Sequence, residues 1–202
     1  MLKTGTNKWT LKDVITLAIF TVIIFVLLMI VMVLSNILLT PVGAYFASPG
    51  ISALLAGPFY MVMANKISKR GVVFLICTIT GLLFLAIGQV YTFVIYFIFG
   101  VIGELCMLGQ DAYLKLFRNM VGFLFYMVAL SAAAFIPMIL FREQFLAWYS
   151  TVGTEEVIST LIQVYGSPSG ILITIALTGA GTILGCMIGQ RILNRHVKKA
   201  RI

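Results

Sequence analysis

The chain has little charge and almost no histidine. Of its 202 residues only 10% are charged, six are acidic and one, His196, is a histidine. Ordinary globular proteins carry roughly 25% charged residues. A soluble fold this poor in charge could not clothe its surface. The scarcity of acids and histidine also removes most hydrolytic and metal chemistry. There is no HExxH, no pair of intramembrane aspartates and no Ser–His arrangement. No GxxxxGK[ST] phosphate loop is present, so the chain is not expected to hydrolyse ATP itself. Three cysteines, Cys77, Cys106 and Cys186, sit inside apolar runs without a CxxC pair. They read as small buried hydrophobes, not a disulfide framework or zinc site. No catalytic residue, cofactor or metal is expected.

What the chain has is apolar length: 61% of residues are hydrophobic and the mean hydropathy is +1.12. That is the composition of an integral membrane protein. A span needs about 20 mostly apolar residues. The expected fold is all-α and polytopic, a single transmembrane domain with six helices near 14–34, 51–65, 72–88, 91–108, 120–141 and 171–190. The first run is too long for a cleavable signal peptide and lacks a small-residue cleavage site. The segment from Ile37 to Ser48 is apolar but short and holds Pro41 and Gly43. With Pro49–Gly50 after it, it reads as a re-entrant or capping piece ahead of a kinked second span.

Charge placement supports the count. With six spans, every basic residue except Arg142 falls on one side, out of 14 in all. Cytoplasmic segments carry the Lys and Arg excess, so both termini are expected in the cytoplasm of a multi-pass plasma-membrane protein. The net charge of +8 is then a topology signal and a contact to anionic lipid. It needs no nucleic-acid partner.

Three sets of residues are candidates for function. Tyr45, Phe46, Tyr91, Trp148 and Tyr149 lean toward the outer ends. An aromatic belt explains part of this. Irregular backbone at membrane depth, however, is tolerated only where protein buries it or a cavity needs it, which suggests an outward-facing substrate pocket. The long connection from Arg142 to Ser169 holds Thr154-Glu155-Glu156 as a helix start. It continues into an amphipathic stretch through Val157, Leu161 and Tyr165, read as a surface helix or a lid. Glu104 is an acid inside a span, a functional candidate by default; pairing with Arg118 or contact with a partner subunit are its expected roles. Gly181, Gly185 and Gly189 form a GxxxGxxxG stripe that lets another helix approach closely, either within the chain or from a partner.

At this point the residues resemble a family. The run Leu11-Lys-Asp-Val-Ile-Thr-Leu-Ala-Ile-Phe-Thr21 and the stretch YMVMANKISKRG from Tyr60 to Gly71 look like the Trep_Strep family of hypothetical integral membrane proteins. Size, six spans, internal termini and a capping first outer connection resemble the substrate-binding S components of energy-coupling factor (ECF) transporters. That resemblance implies capture of a vitamin or other micronutrient from outside. It implies a transmembrane coupling subunit and two ABC ATPases as partners. It further implies an AxxxA docking face on the first span, where Ala18 matches the first position and Val22 replaces the second. A rival reading is an oligomeric channel or membrane assembly factor without a soluble ligand, associating through the Gly181–Gly189 stripe.

Overall fold

In the computed structural model, residues 8–109, 111–141, 143 and 159–197 are described. They are mostly helical, with no strand among them. Helix α1 (Leu11–Leu38) starts at a capping box: the Thr10 hydroxyl accepts from the Asp13 backbone N–H, and the Asp13 carboxylate accepts from the Thr10 N–H at 2.8 Å. Helix α2 (Pro41–Ile67) starts with Thr40 as N-cap and Pro41 in the first turn, where a missing N–H costs nothing. Helices α3 (Val72–Ala86) and α4 (Val90–Cys106) form a hairpin across Ile87–Gln89. A 3₁₀ turn (Ala112–Leu114) leads into α5 (Leu116–Leu140). A π-helical turn (Leu161–Tyr165) precedes α6 (Pro168–Ile192), which is capped by the Ser167 hydroxyl accepting from Gly170 N–H at 3.0 Å.

The second expected span is corrected. Residues 41–50 are neither re-entrant nor a separate cap but the first turns of α2, which runs unbroken through Pro49 and Pro58. Each proline removes one backbone donor, and neighbouring helices in a membrane bundle make this tolerable. Among the described residues four helices, α1, α2, α5 and α6, are long and apolar enough to cross a membrane. Helices α3 and α4 have 15 and 17 residues. At ~1.5 Å per residue they reach only about 22–26 Å, against a hydrocarbon core of about 30 Å.

The helices alternate in direction, which gathers the described basic residues of the chain start, the α2–α3 and α4–α5 connections and the end of α6 at one end, here the basic end. There Lys69 bridges Asp13 at 2.5 Å and also reaches the Lys8 carbonyl. Trp9 Nε1 donates to the Arg70 carbonyl at 3.1 Å. The chain entering α1 is thereby tied to the α2–α3 loop. Asp13, next to Lys12 in the sequence, takes its ionic partner from the α2–α3 loop.

The interior is built on aromatic rings. Phe25, Phe84, Tyr96, Tyr126, Phe123 and Tyr60 follow one another at centroid spacings of 4.6–5.8 Å. All but Phe25 are buried to 2% exposure or less. The outward faces stay apolar: Ile19, Val22, Ile23, Val26 and Ile30 of α1 are all exposed, as a lipid-facing surface requires.

The two tightly packed parallel helices are α2 and α6. A Cβ on Gly57 would sit 2.5 Å from the Gly185 carbonyl carbon, and one on Gly185 would sit 2.6 Å from the Ala53 oxygen. A Cβ on Gly181 would overlap the Gly50 carbonyl oxygen, and one on Gly189 would meet Met61 Cβ at 2.7 Å. The glycine stripe is therefore an internal packing face filled by α2, and a partner helix finds no room there.

Candidate functional site

The two candidate regions lie at opposite ends of the bundle. At the basic end, Glu104 near the end of α4 faces the start of α3. Gly71, the N-cap of α3, has φ +95° and no side chain to offer as a cap. The Glu104 carboxylate supplies that function from the neighbouring helix. It accepts from the backbone N–H groups of Gly71 (2.7 Å), Val73 (3.1 Å) and Phe74 (3.3 Å). A fourth bond comes from the Tyr113 hydroxyl at 2.6 Å. A negative charge at a helix N-terminus is stabilised by the unsatisfied donors and the macrodipole there. Burial and the adjacent Glu104 push the Tyr113 phenol well above its ordinary range, so it remains a donor. Asn119 fixes the turn beneath, donating to the Tyr113 carbonyl at 2.6 Å.

The expected Glu104–Arg118 pair is not what the structure forms. Arg118 donates to the Leu108 carbonyl instead, and Glu104 is occupied by α3 and Tyr113. Sequence spacing could not reveal this, because the donors are backbone groups of a different helix.

At the far end, Tyr45 and Phe46 of α2 pack into a small apolar cluster. Its buried centre is Met138 of α5 and Leu161 of the π turn, flanked by Val42, Phe135 and Ile162. The part of the expected amphipathic stretch within the described residues thus folds onto α2 and α5 as a cover. Tyr91 lies apart, 44% exposed and stacked on Phe141 at 4.7 Å. Trp148, Tyr149 and the Thr154-Glu155-Glu156 helix start fall outside the described residues.

Ala18 is exposed on α1, as is Val22. Among the described residues no element covers these two positions, in contrast to the glycine faces of α2 and α6.

A feature unremarked in the sequence reading runs beneath the far-end cluster. Ser131 of α5 and Thr178 of α6 share a hydrogen bond of 3.1 Å. Thr174, Thr178 and Thr182 recur every fourth residue along α6, and all three are buried. The signal was available as a T-x-x-x-T-x-x-x-T repeat beside the glycines. Among the described residues no buried side chain is charged, and no group of acids, histidines and cysteines could hold a metal.

Residues 11–199 match a family described as hypothetical bacterial integral membrane protein (Trep_Strep), and the chain belongs to that family. No curated protein and no solved structure matches it.

Proposed function

We propose that this Trep_Strep family protein is the substrate-binding S component of an ECF-type importer. It captures a vitamin or other micronutrient at the far end of the bundle, facing outward in the bacterial plasma membrane. A transmembrane coupling subunit and two ABC ATPases supply the energy, and the chain itself carries no catalytic step. The hairpin of α3 and α4 completes six passes by local bilayer thinning, which leaves both termini in the cytoplasm.

The observation that carries this reading is the uncovered small-residue position on α1. The glycine faces of α2 and α6 are consumed inside the bundle, whereas Ala18 stands exposed among bulky lipid-facing side chains. A small residue on an exposed face is where a second helix can approach. The channel or assembly-factor reading drew on the glycine stripe as a self-association face, and α2 fills that face.

The test is copurification from native membranes. The wild-type chain should bring down a coupling subunit and two ATPases. Ala18→Leu should retain its fold and lose at least ~90% of them, because an isobutyl group in place of the methyl keeps a partner helix away. Recovery of a symmetric homo-oligomer without ATPases would instead establish the rival. Topology is checked separately. In a background lacking the native cysteines, Gln163→Cys should react with an impermeant thiol reagent applied from outside, and Lys66→Cys should not. The reverse pattern would invert the orientation and place the far end in the cytoplasm.

A further inference from the structure

The α3–α4 hairpin is the short wall of the bundle. Phe25 of α1 and Phe84 of α3 meet at 5.2 Å, which sets these two residues at about one level. Both helices run toward the far end, α1 to Leu38 and α3 only to Ala86. At ~1.5 Å per residue, α1 continues about 20 Å past this level and α3 about 3 Å. The tip at Ile87–Gln89 therefore stops on the order of 10 Å short of the far end of α1. Phe141, just past α5, stacks on Tyr91 beside the tip at 4.7 Å.

The surface of the tip is apolar. Leu82, Leu85, Ile87, Val90, Tyr91 and Val94 are all exposed, and no residue from Val72 to Gly103 is charged. The α2–α3 and α4–α5 connections, at the basic end, carry Lys69, Arg70, Asp111 and Lys115. The turn also consumes its own backbone donors. The N–H groups of Ile87 and Gln89 bond to the Phe84 carbonyl, that of Gly88 to Leu85 and that of Val90 to Gly88, at 2.9–3.2 Å. Gly88 closes the turn with φ +89°, a conformation that glycine adopts freely. Lipid-exposed backbone must be satisfied internally, and this turn meets that condition over four consecutive residues. A water-facing loop has no need to.

One polar side chain remains. Gln89 Oε1 accepts from the Thr92 hydroxyl at 3.0 Å. The residue is exposed, and its amide NH₂ offers two further donors. Below the head groups, the acceptors a bilayer supplies are the ester carbonyls of the glycerol region.

We propose that the α3–α4 tip is a phospholipid contact, ending at the depth of the far leaflet's ester carbonyls with the Gln89 amide donating to them. Its apolar side chains lie against the acyl chains. The bilayer spans the full length of α1 on one side of the protein and is thinner along the α3–α4 wall. The partner is a diacyl phospholipid selected by ester oxygens and chain length. Head-group charge plays no part, because the tip carries no cation. This rests on the six-pass topology proposed above and is independent of substrate capture and of the coupling partners.

Depth and ester contact are measured separately on the full chain. In intact cells, in the background lacking the native cysteines, Ile87→Cys should react with an external impermeant thiol reagent at least about tenfold more slowly than Gln163→Cys, because lipid shields it. Unfolding temperature is then compared in ester-linked and ether-linked phosphatidylcholine of equal chain length. The ether lipid lacks the carbonyl acceptor. The wild type should unfold about 3 °C or more lower in the ether lipid, and Gln89→Leu should unfold at the same temperature in both. Labelling of Ile87→Cys as fast as Gln163→Cys would place the tip in water and overturn the proposal with the topology intact. Equal wild-type stability in the two lipids would overturn the ester contact. Labelling of Gln163→Cys only from inside would overturn the topology and this proposal together.

Discussion

Gly181→Ala and Gly185→Ala should each destabilise the folded chain by about 3 kcal/mol or more, and Gly179→Ala should not. All three are glycines of α6 within seven residues of one another, and all three changes add a single methyl group. At Gly185 that methyl would lie 2.6 Å from the Ala53 oxygen and 2.8 Å from the Leu54 oxygen, and at Gly181 it would overlap the Gly50 carbonyl. These obstacles are backbone atoms of α2, which cannot rotate away. The helices must separate, and overpacking of this kind costs ~1–3 kcal/mol or more. At Gly179 nothing lies within 4 Å of the added methyl. There the gain in helix propensity, up to ~1 kcal/mol, should leave stability unchanged or raised. Thermal unfolding in detergent micelles measures the contrast. Equal effects at the three positions would show that α2 and α6 do not pack through this face. Normal folding of Gly181→Ala and Gly185→Ala with loss of copurifying proteins would return the stripe to a partner.

Glu104→Ala should be nearly as damaging, for an electrostatic reason. It strips the acceptor from three backbone N–H groups at the start of α3 and from the Tyr113 hydroxyl. Hydrogen bonds to a charged group contribute about 1.5–3 kcal/mol each, and orphaned donors lose that support. Val73 retains the Tyr113 hydroxyl oxygen at 3.2 Å, which limits the loss. We expect about 3 kcal/mol for Glu104→Ala and roughly half for Glu104→Gln, whose amide keeps one acceptor oxygen. The double variant with Tyr113→Phe should be clearly less destabilised than the sum of the two single changes, since both disrupt one network. Strict additivity, or wild-type stability of Glu104→Ala combined with loss of copurifying ATPase, would move Glu104 from holding α3 to contacting a partner.

The two effects share an architecture. In each, one helix is fixed by the backbone of another: α6 by the carbonyls of α2, and α3 by a carboxylate on α4 that receives its N–H groups. Neither depends on a matched pair of side chains, so neither leaves a charge pair or motif to find in the sequence. The basic end is further tied by Lys69–Asp13 and Trp9–Arg70. The far end is held by the contact of Leu161 with Met138 and the aromatics of α2.

The membrane class, the all-helical fold and the gathering of basic segments at one end follow from the sequence by itself. Long uncharged runs admit no other structure in a bilayer, and charge placement responds to crossing number. The family, too, was legible in Leu11–Thr21 and Tyr60–Gly71. What only the tertiary structure decided is what each small or polar residue faces. Pro49 and Pro58 suggested a broken segment, yet α2 is continuous and packs along its length on α6. The glycine stripe named a close approach without naming its target, since a glycine presents the same bare backbone to any helix. Glu104 advertised an acid inside a span, but its partners are N–H groups whose position depends on how α3 meets α4. The Ser131–Thr178 bond was equally hidden, because a hydroxyl in a helix normally bonds to its own backbone, and only the folded bundle brings α5 and α6 together there.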